Sequence, residues 1–173
     1  MVGAAGLLAA VGCSADATGS GSGDGHGGGK ATQKPSACSL LKPDDVRSAF
    51  GGVGDPFNST RPDAIDGQRP WGCTWGNQTS YASVAETDAE RYRADIKAPG
   101  GDVIPQNIGE GDSFAVYPAA DDEPMRFAFT VGSAYYRLTV VPARDGDYPR
   151  FQQSDIGTDL LRLLIPAMEG ALS

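Results

Sequence analysis

Chemistry in this chain would have to come from a short set of side chains: three cysteines, one histidine and two tryptophans among 173 residues. The cysteines stand at Cys13, Cys38 and Cys73. None falls in C-x-x-C spacing, so neither a thioredoxin-like redox site nor a zinc knuckle is indicated. The sole histidine, His26, lies in SGSGDGHGGGK, a Gly/Ser run that cannot hold ligands or a catalytic base in place. Ser113 sits in G-x-S-F rather than G-x-S-x-G and has no histidine nearby to activate it. Glu110 and Asp112 flank Gly111, as Asp145 and Asp147 flank Gly146. Paired carboxylates hydrolyse glycosides when they face each other about 5–10 Å apart, but acids beside glycine belong first to turns. Asp121-Asp122-Glu123 lacks the spaced pattern of a calcium loop. Gly29-Lys30 imitates a P-loop without its first glycine or its hydroxyl residue. No catalytic residue, metal site or cofactor is therefore expected.

Trp71 and Trp75 bracket Cys73, and in an extended segment all three point to one side. Two readings stay open at this level. The rings pack in the core around a disulfide, or they form an aromatic platform in a groove for a sugar or apolar ligand.

The cysteines also speak to compartment. Met1 to Gly12 is an uncharged run, MVGAAGLLAAVG, directly followed by Cys13. About a dozen apolar residues match a signal-peptide core and fall short of the roughly 20 that span a bilayer. Ala10-Val11-Gly12-Cys13 resembles a bacterial lipobox, with Ala where Leu is usual, and this predicts lipidation at Cys13. No Lys or Arg precedes the apolar run, which points to a start codon upstream of Met1 or to a clipped chain. Residues 13–37 then form the lipidated cysteine and a flexible tether without aromatic or branched aliphatic residues. A Gly/Ser coil of about 25 residues reaches roughly 25–30 Å. Cys38 and Cys73 remain as an even pair in an exported chain, and they are expected to form one disulfide.

Residues 38–173 read as a single domain. Pro43, Asp44 and Asp45 open a helix over 42–50 that Gly51-Gly52 stops. Residues 51–70 are loop by composition. Strands are expected at 71–75 and 80–86, with Gly76-Asn77 between them. A helix over 87–97 begins with a Thr87/Glu90 capping box. Extended segments follow at 103–108 and 113–117. The strongest signal is Met125, Phe127, Phe129 and Val131 in alternation, then Gly132-Ser133, then Tyr136, Leu138 and Val140, which predicts a type II′ hairpin. A final helix over 154–168 carries a wide apolar face and meets Pro166, a candidate kink. Helices and strands do not alternate regularly. The expectation is an α+β fold, an antiparallel sheet of about five strands with the helices packed on one face.

Several landmarks occur in order: Cys38-Ser39-Leu40-Leu41, Asp44-Asp45-Val46 leading to Ala49-Phe50-Gly51, Cys73-Thr74-Trp75, and Gly109-Glu110-Gly111-Asp112-Ser113-Phe114-Ala115. With the closing hairpin and apolar helix, this set resembles the actinobacterial lipoproteins of a domain-of-unknown-function family, number thirty-five fifty-eight. The resemblance spans nearly everything from Cys38 onward. It implies an exported, membrane-anchored α+β domain of a Gram-positive envelope, and it brings no activity or catalytic residues.

Charge completes the reading. Lys plus Arg total 14 against 22 Asp plus Glu, a net charge of -8, which lacks the basic footprint of a nucleic-acid binder. The expected partners are the membrane, through the lipid anchor, and another envelope protein. The expected function is a non-catalytic binding or adaptor module on the outer face of the cell membrane. A carrier or sensor of a small apolar or glycan ligand is the alternative, and an envelope hydrolase comes third.

Overall fold

The computed structural model describes residues 34–52, 55–97, 101–120, 123–142 and 150–172, all within a compact unit running Thr32–Ser173. Cys13, His26, Asp121, Asp122, Asp145 and Asp147 lie outside the described residues. After a 3₁₀ turn at Ala37–Ser39 come α1 (Pro43–Ala49), β1 (Asn58–Thr60), β2 (Gly72–Gly76), β3 (Tyr81–Thr87) and α2 (Ala89–Asp95). Then follow β4 (Val103–Pro105), β5 (Ser113–Val116), β6 (Met125–Val131), β7 (Ala134–Val141) and α3 (Arg150–Leu172). No helix among the described residues is long and apolar enough to cross a membrane.

The seven strands form one sheet in the order β1-β2-β3-β7-β6-β5-β4, every neighbouring pair antiparallel. The β6–β7 hairpin is the centre of the architecture. Gly132 has φ +58° at its turn, as the first position of a type II′ turn requires. That turn fixes the register Met125↔Val140, Phe127↔Leu138 and Phe129↔Tyr136. A one-residue slip of either strand would turn its three apolar side chains to the opposite face.

Ile156, Leu160, Leu161, Leu164, Ile165 and Met168 of α3 are buried in the core that includes these six residues. Full burial of each such side chain contributes about 1.5–3 kcal/mol. Gly157 permits the close approach, because a Cβ there would overlap the Phe127 ring. α3 begins before the expected Ser154 and continues through Pro166, which lies on its exposed side. α1 adds Val46 to the same core.

Two features depart from the expected layout. The sheet has seven strands rather than about five; its edges are the three-residue β1 and β4. Asn58-Ser59-Thr60 lies in the segment read as loop, and it becomes a strand only by pairing with β2. The helices also do not share one face. Alternation along β5 and β6 leaves Phe114, Val116 and Ala128 on the side away from α3. There they form a second cluster with Tyr92 of α2, together with Ile96, Val103 and Tyr135. Apolar residues on both faces of this half of the sheet need covers on both sides, and α2 supplies the second.

α2 is capped by Asp88 rather than Thr87, which ends β3. The Asp88 carboxylate accepts the Arg91 backbone N–H at 2.7 Å, a bond that holds its pKa below the ordinary value. At the other end of α2, buried Asp95 meets Arg137 through two contacts, 2.7 Å to Nε and 2.6 Å to Nη2. Arg126 approaches the same carboxylate at 3.5 Å.

Candidate functional site

Cys38 and Cys73 form the disulfide, with Cα atoms 5.0 Å apart and a sequence separation of 35. It ties the 3₁₀ turn to β2, and the surrounding side chains build the candidate site. Trp75, which pairs with Ala82 of β3, is fully buried and donates its indole N–H to the Leu41 carbonyl at 3.2 Å. Trp71 precedes β2 and remains half-buried. Its indole N–H donates to the Pro35 carbonyl at 2.8 Å, and its ring lies 5.2 Å from that of Tyr136. The two tryptophans thus part company: Trp75 packs in the core and Trp71 lines a cleft.

That cleft has a volume of about 560 Å³, within the range of about 300–1,000 Å³ usual for small-ligand sites. One wall is residues 34–37, and the other is the segment Arg61, Pro62, Arg69, Pro70, Trp71 and Gly72. The sequence reading ends the tether at Ala37; in the structure the chain already packs on the domain from Lys34. The Lys34 ammonium sits 4.4 Å from the centre of the Trp71 ring and 4.7 Å from that of Tyr136. It also pairs with the Glu86 carboxylate at 2.8 Å. The sheet explains why these groups converge. Glu86 lies directly across from Tyr136 in the β3–β7 register, so both side chains stand on one face.

The opposite wall is stiffened by a two-residue turn. Ile65 and Gln68 exchange backbone hydrogen bonds at 2.7 and 2.9 Å, while Asp66 and Gly67 between them have φ +50° and +78°. Positive φ at both central positions is the type I′ geometry. Ile65 projects from this turn, 65% exposed. Arg61 and Arg69 flank it, and neither has an ion-pair or hydrogen-bond partner among the described residues.

Other chemistry-bearing residues take structural positions. Ser113 is buried, accepting the Ile108 N–H at 3.0 Å and donating to the Ile108 carbonyl at 3.3 Å. Glu110 and Asp112 are exposed; their backbone N–H groups donate to Glu169 at 3.1 Å and Thr130 at 2.9 Å. Glu123 contacts Arg126 at 3.5 Å. Among the described residues no three metal-ligating side chains gather. A smaller hollow of about 260 Å³ lies between Phe50 and α3, bordered by Asp155 and Asp159.

Sequence reasoning singled out Trp71 and missed Lys34, Arg61, Arg69, Glu86 and Tyr136 as its neighbours. Their convergence depends on long-range pairing, and the only local hint is the proline beside Lys34, Arg61 and Arg69. No family model, curated protein or solved structure matches the chain.

Proposed function

We propose that this protein is an exported lipoprotein, held to the outer face of the cell membrane by lipid on Cys13, whose folded part is a non-catalytic binding module. The observation that carries the binding role is the cleft beside the disulfide, where Arg61 and Arg69 lack partners among the described residues and Trp71 forms part of the wall. The disulfide itself supports export, since such bonds persist in oxidising compartments. The lipobox-like Ala10-Val11-Gly12-Cys13, with ordered landmarks that resemble those of actinobacterial lipoproteins, supports the anchor. A lipid anchor raises the effective concentration of the module near membrane-bound partners, so even a weak interface is usable.

The favoured reading is an adaptor for another envelope protein. A photo-cross-linker in place of Ile65, whose side chain is 65% exposed, tests it in living cells. A single envelope protein captured there, and lost on Arg61→Ala/Arg69→Ala, is the expected result; no specific adduct would count against the adaptor. The half-buried Trp71 ring favours a second reading, a carrier of a small ligand. Native mass spectrometry of the purified protein would then show a bound molecule that disappears on Trp71→Ala.

A further inference from the structure

We propose that the cleft is an anion site, with Arg61 and Arg69 gripping a phosphate-bearing ligand. The inference rests on the second reading above, the carrier of a small ligand in this cleft, and names the ligand class. The chain carries a net charge of -8, yet the charged residues lining the cleft are Lys34, Arg61 and Arg69, with no Asp or Glu among them. Asp63 and Asp66 belong to the same segment but do not line it.

Lys34 is already engaged by Glu86 and by two aromatic rings. Arg126 and Arg137 are engaged by Asp95, Arg47 and Arg162 by acids on their own helices, and Arg91 by the capping Asp88. Arg61, Arg69 and the exposed Arg93 of α2 have no partner among the described residues, and of these only Arg61 and Arg69 stand together on one wall of a concave surface. A planar fork of N–H donors matches the oxygens of phosphate in bidentate fashion. Two such forks on one wall supply what a phosphate monoester or diester needs.

The two arginines flank the turn whose ends are locked by the reciprocal Ile65 and Gln68 hydrogen bonds. Pro62 and Pro70 stand next to them and restrict the backbone. The opposite wall is fixed by the Trp71 to Pro35 hydrogen bond. A site held open in this way loses little entropy when its ligand arrives. The volume of about 560 Å³ accommodates a phosphorylated glycerol or sugar unit.

Such a phosphate could come from a soluble glycerol or sugar phosphate, or from the headgroup of an anionic lipid. The experiment uses the full chain produced without acylation and reads tryptophan emission. Trp71 lines the cleft and Trp75 is fully buried, so a ligand-dependent change reports on Trp71. Glycerol 3-phosphate, phosphatidylglycerol vesicles and phosphatidylcholine vesicles are titrated against the wild type, Arg61→Ala/Arg69→Ala and Arg61→Lys/Arg69→Lys. The expected result is saturable, salt-sensitive binding of a phosphate probe, weakened at least tenfold in the alanine pair and less in the lysine pair. A response to glycerol 3-phosphate assigns the soluble source; a response confined to phosphatidylglycerol vesicles assigns the headgroup. Affinities equal in wild type and alanine pair, or no response to either phosphate probe, would overturn the anion site. If neither phosphate probe responds but a neutral disaccharide, titrated in the same way, is bound alike by wild type and alanine pair, the anion site is overturned and the binding cleft stands.

Discussion

The ammonium group of Lys34 lies 4.4 Å from the centre of the Trp71 ring, with the Glu86 carboxylate 2.8 Å away. This contact joins the segment leading into the domain to the wall of the cleft, next to the disulfide. A cation over an aromatic face contributes about 0.5–2 kcal/mol, depending on how dry the site is. Lys34→Ala is therefore expected to lower stability by about 1 kcal/mol and to shift Trp71 emission to the red. Equilibrium unfolding in urea and the emission spectrum check both effects; unchanged emission would mean that the cation does not shield the ring.

The Cys38–Cys73 bridge closes a loop of 35 residues. The chain-entropy account gives a stabilisation of about 3–4 kcal/mol for a loop of this length. Cys38→Ala/Cys73→Ala should lower the unfolding free energy by that amount, measured in urea against the oxidised wild type. A loss below about 1 kcal/mol would show that the buried tryptophan and the neighbouring strands hold this corner without the bridge.

Asp95 is the buried acid between Arg126 and Arg137. Removing one partner of a buried pair leaves the remaining charge uncompensated, at a cost of about 3–5 kcal/mol when both are dry. The two arginines are about one-third exposed, at 33% and 34%, so Asp95→Ala is expected to cost about 2–3 kcal/mol by the same argument. Thermal unfolding checks this, and α2 should lose amide-exchange protection first. Asp95→Leu/Arg137→Leu should cost less than Asp95→Ala if an unpaired charge, rather than lost packing, dominates.

Tyr92 carries the pH dependence. Burial, with the negative charge of Asp112 and the neighbouring Tyr135, pushes its pKa up to about 12. The unfolded chain releases this proton near pH 10, while the folded state holds it to about pH 12. Between those values the folded state binds more protons, so stability falls as pH rises, by up to about 1.4 kcal/mol per pH unit. Tyr92→Phe should flatten this part of the alkaline unfolding curve. Since the Tyr92 hydroxyl is buried without a hydrogen-bond partner among the described residues, the variant should be no less stable at pH 7.

What could be read from sequence follows from how local each signal is. Met125 to Val140 states its alternation and turn within sixteen residues, and that hairpin is the centre of the sheet. Cys38 and Cys73 were legible because they are the even pair that remains when Cys13 is assigned to an anchor, and such a pair has one economical arrangement. The position of α2 was not legible, because its seven residues do not show which side of the sheet they will cover. That choice is made by Phe114, Val116 and Ala128 on strands formed later in the chain. β1 escaped because Asn58-Ser59-Thr60 has no apolar pattern and takes its conformation from β2. The cleft was half legible: Trp71 stood out by type, whereas Arg61 and Arg69 gain meaning only beside residues 34–37. Glu86 and Tyr136 meet only through the β3–β7 register.

The proposed exported, lipid-anchored module, stapled by one disulfide, is tested most directly by a single mass measurement. The protein is extracted from the membranes of its native host, and its intact mass is recorded before and after reduction with thiol labelling. A chain beginning at acylated Cys13, with two thiols that appear only on reduction, is the predicted result. A soluble chain that retains the residues before Cys13 and labels at three thiols without reduction would contradict it.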